Sequence, residues 1–203
     1  AFVYSGATGT ILHRFYGENP WDMFGWSATS LPDLDGDGSF ELSVGSPRND
    51  SGGSDSGCVD IFSGRTGARI HRISGSPMDA LGYSQAAMGD TNGDGTPDLA
   101  LGAMNDYSTQ TLKTGHVEIR SLGGDYALLK RFEEESRFEA FASCLASVGD
   151  VDGDGLDDIF VGAPYSGDAG STGLAAGSAR LYSGSSGRAL YRFSGDSTKD
   201  LLG

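Results

Sequence analysis

The sequence predicts an all-β chain folded as a β-propeller of four-stranded antiparallel blades. Three observations carry this prediction. An acidic, glycine-rich loop occurs three times, at intervals of 57 and 60 residues (33 to 90, then 90 to 150), and a regular interval of that size marks a repeat architecture. Strand-like segments recur in the same order around each copy. The apolar runs are short, four to seven residues, which suits strands better than helices.

The segments follow one another in a fixed sequence. The first covers 24–31, 81–88 and 141–148 and leads into the acidic loop. The second is Leu42-Ser-Val44-Gly45-Ser-Pro47, matched by Leu99-Ala-Leu101-Gly102-Ala-Met104 and Ile159-Phe-Val161-Gly162-Ala-Pro164. After a polar loop comes the third, at 58–64, 116–121 and 178–184, with Phe2-Val-Tyr-Ser-Gly6 in the same slot. The fourth is Ile11–Phe15, Arg69–Ile73, Leu128–Phe132 and Leu190–Phe193. Turn signals such as Ser63-Gly64-Arg-Thr-Gly67 separate the last two. One meander leaves both faces exposed, and stacking meanders around an axis buries them.

The division that follows is a single propeller segment over 1–203. It has an outer half-blade at 1–17, full blades at 22–76, 79–136 and 138–195, and the start of a next blade at 199–203. Propellers need roughly four to eight blades, so a part of a larger propeller, or an open arc completed by other copies, is expected. The stretch 133–140 has helical propensity and reads as a connection with a helical turn. The start Ala1-Phe-Val-Tyr-Ser-Gly6 reads as the middle of a repeat, as if a leader had been removed or a longer protein preceded it.

Net charge is −14, a surface that repels nucleic acid and anionic membranes. No apolar run approaches the roughly 20 residues needed to span a bilayer. Cys58 and Cys144 occupy different places in different repeats, so no disulfide is expected.

The loops carry the chemistry. They read Asp33-Leu-Asp35-Gly-Asp37-Gly-Ser39-Phe-Glu41, Asp90-Thr-Asn92-Gly-Asp94-Gly-Thr96-Pro-Asp98 and Asp150-Val-Asp152-Gly-Asp154-Gly-Leu156-Asp-Asp158. Each sets oxygen side chains at positions 1, 3, 5 and 9 around turn glycines, a pattern suited to a hard cation. Ca2+ at three sites is expected. Nearby His or Cys ligands, which would favour zinc or copper, are missing, and Mg2+ demands tighter octahedral geometry. The loops are not EF-hands, because position 12 is Val44, Leu101 or Val161 rather than Glu. The backbone carbonyls of Ser39, Thr96 and Leu156 at position 7 should complete each ligand set. Asn92 removes a charge, so the second site should be the weaker. Glu41 is longer than Asp, so the first should be distorted or include a water.

With these motifs in hand, the chain resembles FG-GAP repeat proteins, the units of the integrin α-subunit propeller. Phe24-Gly25 and Leu81-Gly82 match the FG element. Gly162-Ala163-Pro164 matches GAP in full, Gly45-Ser46-Pro47 and Gly102-Ala103-Met104 are variants, and Ala142 stands where a third FG glycine would be. The resemblance implies a calcium-stabilised, extracellular or cell-surface module that binds a protein or glycan. It implies that partners use the face opposite the calcium loops. In this chain that face comprises 48–57, 105–115, 165–177, 17–22 and 75–80. Trp21, Arg48, Tyr107 and Tyr165 are its candidate contacts.

No enzyme is expected. His13 and His71 share a slot that Lys130 and Tyr191 fill elsewhere, which reads as an outer-strand surface position. Arg14, Arg72, Arg131 and Arg192 recur once per repeat and read as structural partners of acidic neighbours. Two alternative readings are a substrate-binding accessory propeller of a secreted enzyme and a surface module that self-associates through open blade ends.

Overall fold

The computed structural model describes residues 1–104, 114–133, 139–167 and 175–203. Among them all regular structure is β. Strands β1 (Phe2–Tyr4) and β2 (Ile11–Arg14) form a two-stranded sheet. Three four-stranded antiparallel sheets follow, each in chain order. The first holds β3 (Ser27–Leu31), β4 (Glu41–Ser46), β5 (Cys58–Phe62) and β6 (Arg69–Ser74). The second holds β7 (Leu81–Met88), β8 (Asp98–Ala103), β9 (His116–Ser121) and β10 (Leu128–Glu133). The third holds β11 (Leu145–Gly149), β12 (Asp158–Ala163), β13 (Ser178–Tyr182) and β14 (Ala189–Ser194).

These sheets are propeller blades in an unclosed arc, as the repeat pattern implies. Apolar clusters lie between successive sheets. Phe15, Val44 and Phe62 fill the first junction. Leu31, Val59, Ile61, Leu81, Leu99 and Leu101 belong to the second, and Val117, Ile119, Phe141, Ile159 and Val161 to the third. The middle strands β5, β8 and β9 are buried almost throughout, while β6, β10 and β14 are largely open. Of the 133–140 stretch expected to carry a helical turn, Glu133 ends β10 and residues 134–138 lie outside the described residues.

The FG and GAP glycines meet across the junctions. A Cβ on Gly45 would lie 2.2 Å from the Gly82 carbonyl oxygen and 2.3 Å from Ser27 Oγ. Ser27 Oγ itself donates to that carbonyl at 2.6 Å. At the next junction Ser84 Oγ donates to the Ala142 carbonyl at 2.6 Å, and a Cβ on Gly102 would lie 2.1 Å from that hydroxyl. Blade-to-blade approach is thus set by a glycine facing a carbonyl. Gly25 and Gly82 have φ of 88° and 87°, and Ala142 holds the same left-handed region at 67°, which an L side chain disfavours by about 1–2 kcal/mol.

One expectation about side chains is corrected and a second holds only for some of its residues. The slot of His13, His71 and Lys130 is a blade-to-blade contact rather than an open surface position. His13 Nε2 lies 2.8 Å from the Gly64 carbonyl, Lys130 Nζ donates to the Gly184 carbonyl at 2.8 Å, and His71 stacks on Tyr126 at 3.9 Å. Each reaches the turn between the third and fourth strands of the following sheet, so the varied residue types solve one packing task. The recurrent arginines are not paired alike. Arg72 makes a bidentate pair with Asp60, both bonds 2.7 Å, and Arg131 pairs with Glu133 at 2.6 Å. Arg192 lies opposite Arg180 and donates to Ser166 Oγ at 3.1 Å, while Glu139 takes Arg180 at 2.7 Å. Cys58 is buried, Cys144 is exposed, and both are free.

Candidate metal centres

Each acidic loop joins the first and second strands of its sheet and is built on its own carboxylates. Asp33 Oδ1 accepts the Gly36 N–H at 2.8 Å and the Asp37 N–H at 3.1 Å, and Oδ2 accepts the Gly38 N–H at 2.8 Å. Asp90 takes the amides of Gly93, Asp94 and Gly95 in the same way. So does Asp150 with Gly153, Asp154 and Gly155. The glycines at positions 4 and 6 have φ between 76° and 91° in every copy, which turns three successive N–H groups toward one carboxylate.

Position 5 organises the closing turn. Asp37, Asp94 and Asp154 accept the N–H groups of Ser39, Thr96 and Leu156 at 2.8, 2.8 and 3.0 Å. The end of the third strand and the turn after it touch the same carboxylates through Ser63, Ser121 and Ser185. In the first loop Arg65 also approaches Asp37, at 3.6 Å. The Asn92 amide holds the Asp94 carboxyl below its ordinary range, helped by the Thr96 N–H. The Ser185 hydroxyl does the same for Asp154, with the Leu156 N–H.

The loops differ in how far they converge. Oxygens of Asp33, Asp35, Asp37 and Glu41 lie within 4.8 Å of one another. In the third loop Asp150, Asp152 and Asp158 do so, and Asp154 is drawn to Ser185. In the second, Asn92 Nδ2 donates to Asp94 at 2.8 Å, and no three acidic groups of that loop gather among the described residues.

Position 9 supplies the test of fit. Glu41, Asp98 and Asp158 open their strands and are fully buried. One oxygen of each is used inside the loop: Glu41 accepts the Leu34 N–H, Asp98 the Thr91 N–H at 2.7 Å, and Asp158 the Val151 N–H at 2.8 Å. The second oxygen of Asp158 accepts the Gly184 N–H at 3.1 Å. Glu41 Oε1 and Asp98 Oδ1 are buried without a hydrogen-bond partner. Burial pushes both carboxyls up, and the neighbouring loop carboxylates add to it. A buried acceptor without a donor costs about 1–3 kcal/mol, and the charges of Asp33, Asp35 and Asp37 bear on Glu41 as those of Asp90 and Asp94 bear on Asp98. An all-oxygen donor set with this uncompensated charge fits a hard divalent cation.

Of the candidate contact residues, Trp21 is 88 % exposed and Tyr165 is 42 % exposed, and Arg48 is exposed. Tyr107 and most of the 105–115 loop lie outside the described residues. Arg48 lines a shallow depression with Met23, Trp26, Ala80 and Tyr83, where the Trp26 and Tyr83 rings are 5.2 Å apart. The sequence reading passed over this pair. Its signal was an aromatic residue directly after each FG glycine.

Comparison with known proteins places FG-GAP repeat matches at residues 24–62, 82–116 and 145–177, each running through the acidic loop and the GAP strand, the third starting after the Phe141-Ala142 position. The chain belongs to the FG-GAP repeat family. The FG-GAP chain is 37 % identical to integrin alpha-V of Gallus gallus over 150 residues, covering 70 % of itself and 14 % of that relative. It is 33 % identical to integrin alpha-PS5 of Drosophila melanogaster over 170 residues, covering 75 % of itself and 16 % of that relative. The FG-GAP chain therefore spans about one seventh of the length of these integrin subunits. Among solved structures, a Bacillus licheniformis rhamnogalacturonan lyase aligns with a TM-score of 0.49 at 15 % identity, over 83 % of this chain and 35 % of that one.

Proposed function

We propose that this chain is a calcium-stabilised section of an extracellular or cell-surface interaction propeller, without catalytic activity of its own. The reading is supported chiefly by the orphaned, fully buried carboxylate oxygens of Glu41 and Asp98 in loops that otherwise satisfy themselves. Asp33, Asp35, Asp37 and Glu41 would hold the first ion. Asp90, Asn92, Asp94 and Asp98 would hold the second, and Asp150, Asp152, Asp154 and Asp158 the third, with the carbonyls of Ser39, Thr96 and Leu156 completing the sets. A bound cation supplies the charge that lets these carboxylates stand close together. The protein's part is to prearrange them on backbone N–H groups at the end of each first strand. Blades at 22–76, 79–136 and 138–195 would then each carry one ion. Family membership with integrin α-subunits favours a binding role for the face that holds Trp21, Arg48 and Tyr165, with a protein or glycan as ligand.

Calorimetric titration of chelator-treated chain with Ca2+ tests the reading. Saturable binding of up to three ions with a rise in melting temperature is expected. A melting curve indifferent to excess chelator overturns it.

A further inference from the structure

The second and third acidic loops are joined directly. Asp157, at position 8 of the third loop, sends its carboxylate across the junction, where Oδ2 accepts the Gly89 N–H at 2.8 Å and the Ser147 hydroxyl at 2.9 Å. Gly89 immediately precedes Asp90, the first residue of the second loop. Its carbonyl in turn accepts the N–H of Asp98 at 3.2 Å. Asp98 carries the orphaned oxygen of the second loop, and the neighbour of Asp157 is Asp158, the buried closing residue of the third. The path Asp158–Asp157–Gly89–Asp98 therefore links the two position-9 residues through one side chain and the two peptide groups that flank Gly89. The fit is close: a Cβ on Gly89 would lie 2.9 Å from the Asp157 carboxyl carbon.

The first and second loops have no counterpart of this link. The residue equivalent to Gly89 is Pro32, which has no N–H to donate. The residue equivalent to Asp157 is Pro97, which has no carboxylate. The chain thus contains a linked pair of loops and an unlinked one.

Resting on the calcium reading above, we propose that Asp157 is a positioning residue that couples ion binding at the second and third loops, while the first loop binds independently. Filling the third loop fixes Asp158 and with it Asp157. That holds Gly89, and the two peptide groups on either side of it, in the orientation that places Asp98 for the second ion. By reciprocity the second ion favours the third to the same degree.

A double-mutant cycle on the chain tests this, with Ca2+ affinities read by calorimetry and folding by circular dichroism. Asp98→Ala disables the second loop and should lower the affinity of the third about fivefold or more. In an Asp157→Ala background the same change should leave the third loop's affinity unaltered. Glu41→Ala, which disables the first loop, should not alter the third. Asp157→Asn keeps a carbonyl acceptor for Gly89 and should retain the coupling, which guards against an Ala variant that fails to fold. An equal effect of Asp98→Ala in both backgrounds overturns the coupling and leaves the calcium reading standing. No Ca2+ binding by the native chain overturns both.

Discussion

The buried closing carboxylates decide much at the scale of single residues. Glu41 brings a full side chain into a site whose free oxygen has no donor, and Asp33, Asp35 and Asp37 raise its cost further. Without a cation, Glu41→Gln removes a buried charge and should stabilise the fold by about 1–2 kcal/mol. With saturating Ca2+ the sign should reverse on the proposed function, because the same change would remove a proposed ligand. Chemical denaturation of both proteins with and without Ca2+ reads the crossing; a variant less stable in both conditions refutes it. Gly45 is a second decisive residue. Its missing Cβ would overlap the Gly82 carbonyl at 2.2 Å, and backbone on both sides leaves little room to relax. Gly45→Ala should cost about 3 kcal/mol or more, whereas Gly93→Ala, with open space around it, should pay only for its left-handed φ of 79°. Urea midpoints of the two variants give the ranking.

Strands and turns act through cross-strand charge. Glu118 on β9 faces Arg131 on β10, and Arg120 holds it at 2.6 Å. Burial pushes its carboxyl up, but His116 and Arg120 outweigh that and bring it to about 2. Glu18 is brought to about 2 by Arg72 and Arg69, an exposed bridge from the segment before β3 to β6. Both groups have folded values below the ordinary value of about 4.3. The unfolded chain therefore binds more protons as pH falls, and the stability they contribute is complete above about pH 4.5 and lost toward pH 2. Glu118→Gln should flatten that part of a stability profile, while Glu18→Gln should change it less because solvent screens the pair. An unchanged acid limb in Glu118→Gln contradicts the assignment.

How much of this was legible in the sequence also differs by element. The strands showed as apolar runs closed by glycine, and the loops as spaced carboxylates, because both depend on local backbone geometry. The contacts between blades did not show. His13, His71 and Lys130 looked like an interchangeable surface slot, yet each meets the next sheet, a fact of packing across about 50 residues of chain (13 to 64, 71 to 126, 130 to 184). Asp157 was passed over for the same reason: it stands beside a proposed ligand position, and its partner Gly89 is 68 residues away. Arg192 broke its pattern because the residue opposite it is Arg180, where the other blades place Asp60 and Glu118.

At the scale of the whole molecule, each internal junction buries an apolar cluster, and among the described residues the outermost sheet faces do not. On the last sheet Tyr191 is 60 % exposed and Phe193 is 48 % exposed, with Phe160 against Phe193 at 5.6 Å. On the first sheet Phe2, Tyr4 and Leu12 are each more than half exposed. Such patches drive association, and in a pure solution of this chain other copies are the partners at hand to cover them. The net charge of −14 opposes that approach, so added salt should favour it by screening. Sedimentation velocity should show a weight-average mass that rises with protein concentration and with ionic strength. Replacing Tyr191 and Phe193 by Lys should abolish the rise while leaving the three internal junctions intact. A constant monomer mass for the native chain across concentration and salt would show that these faces do not associate.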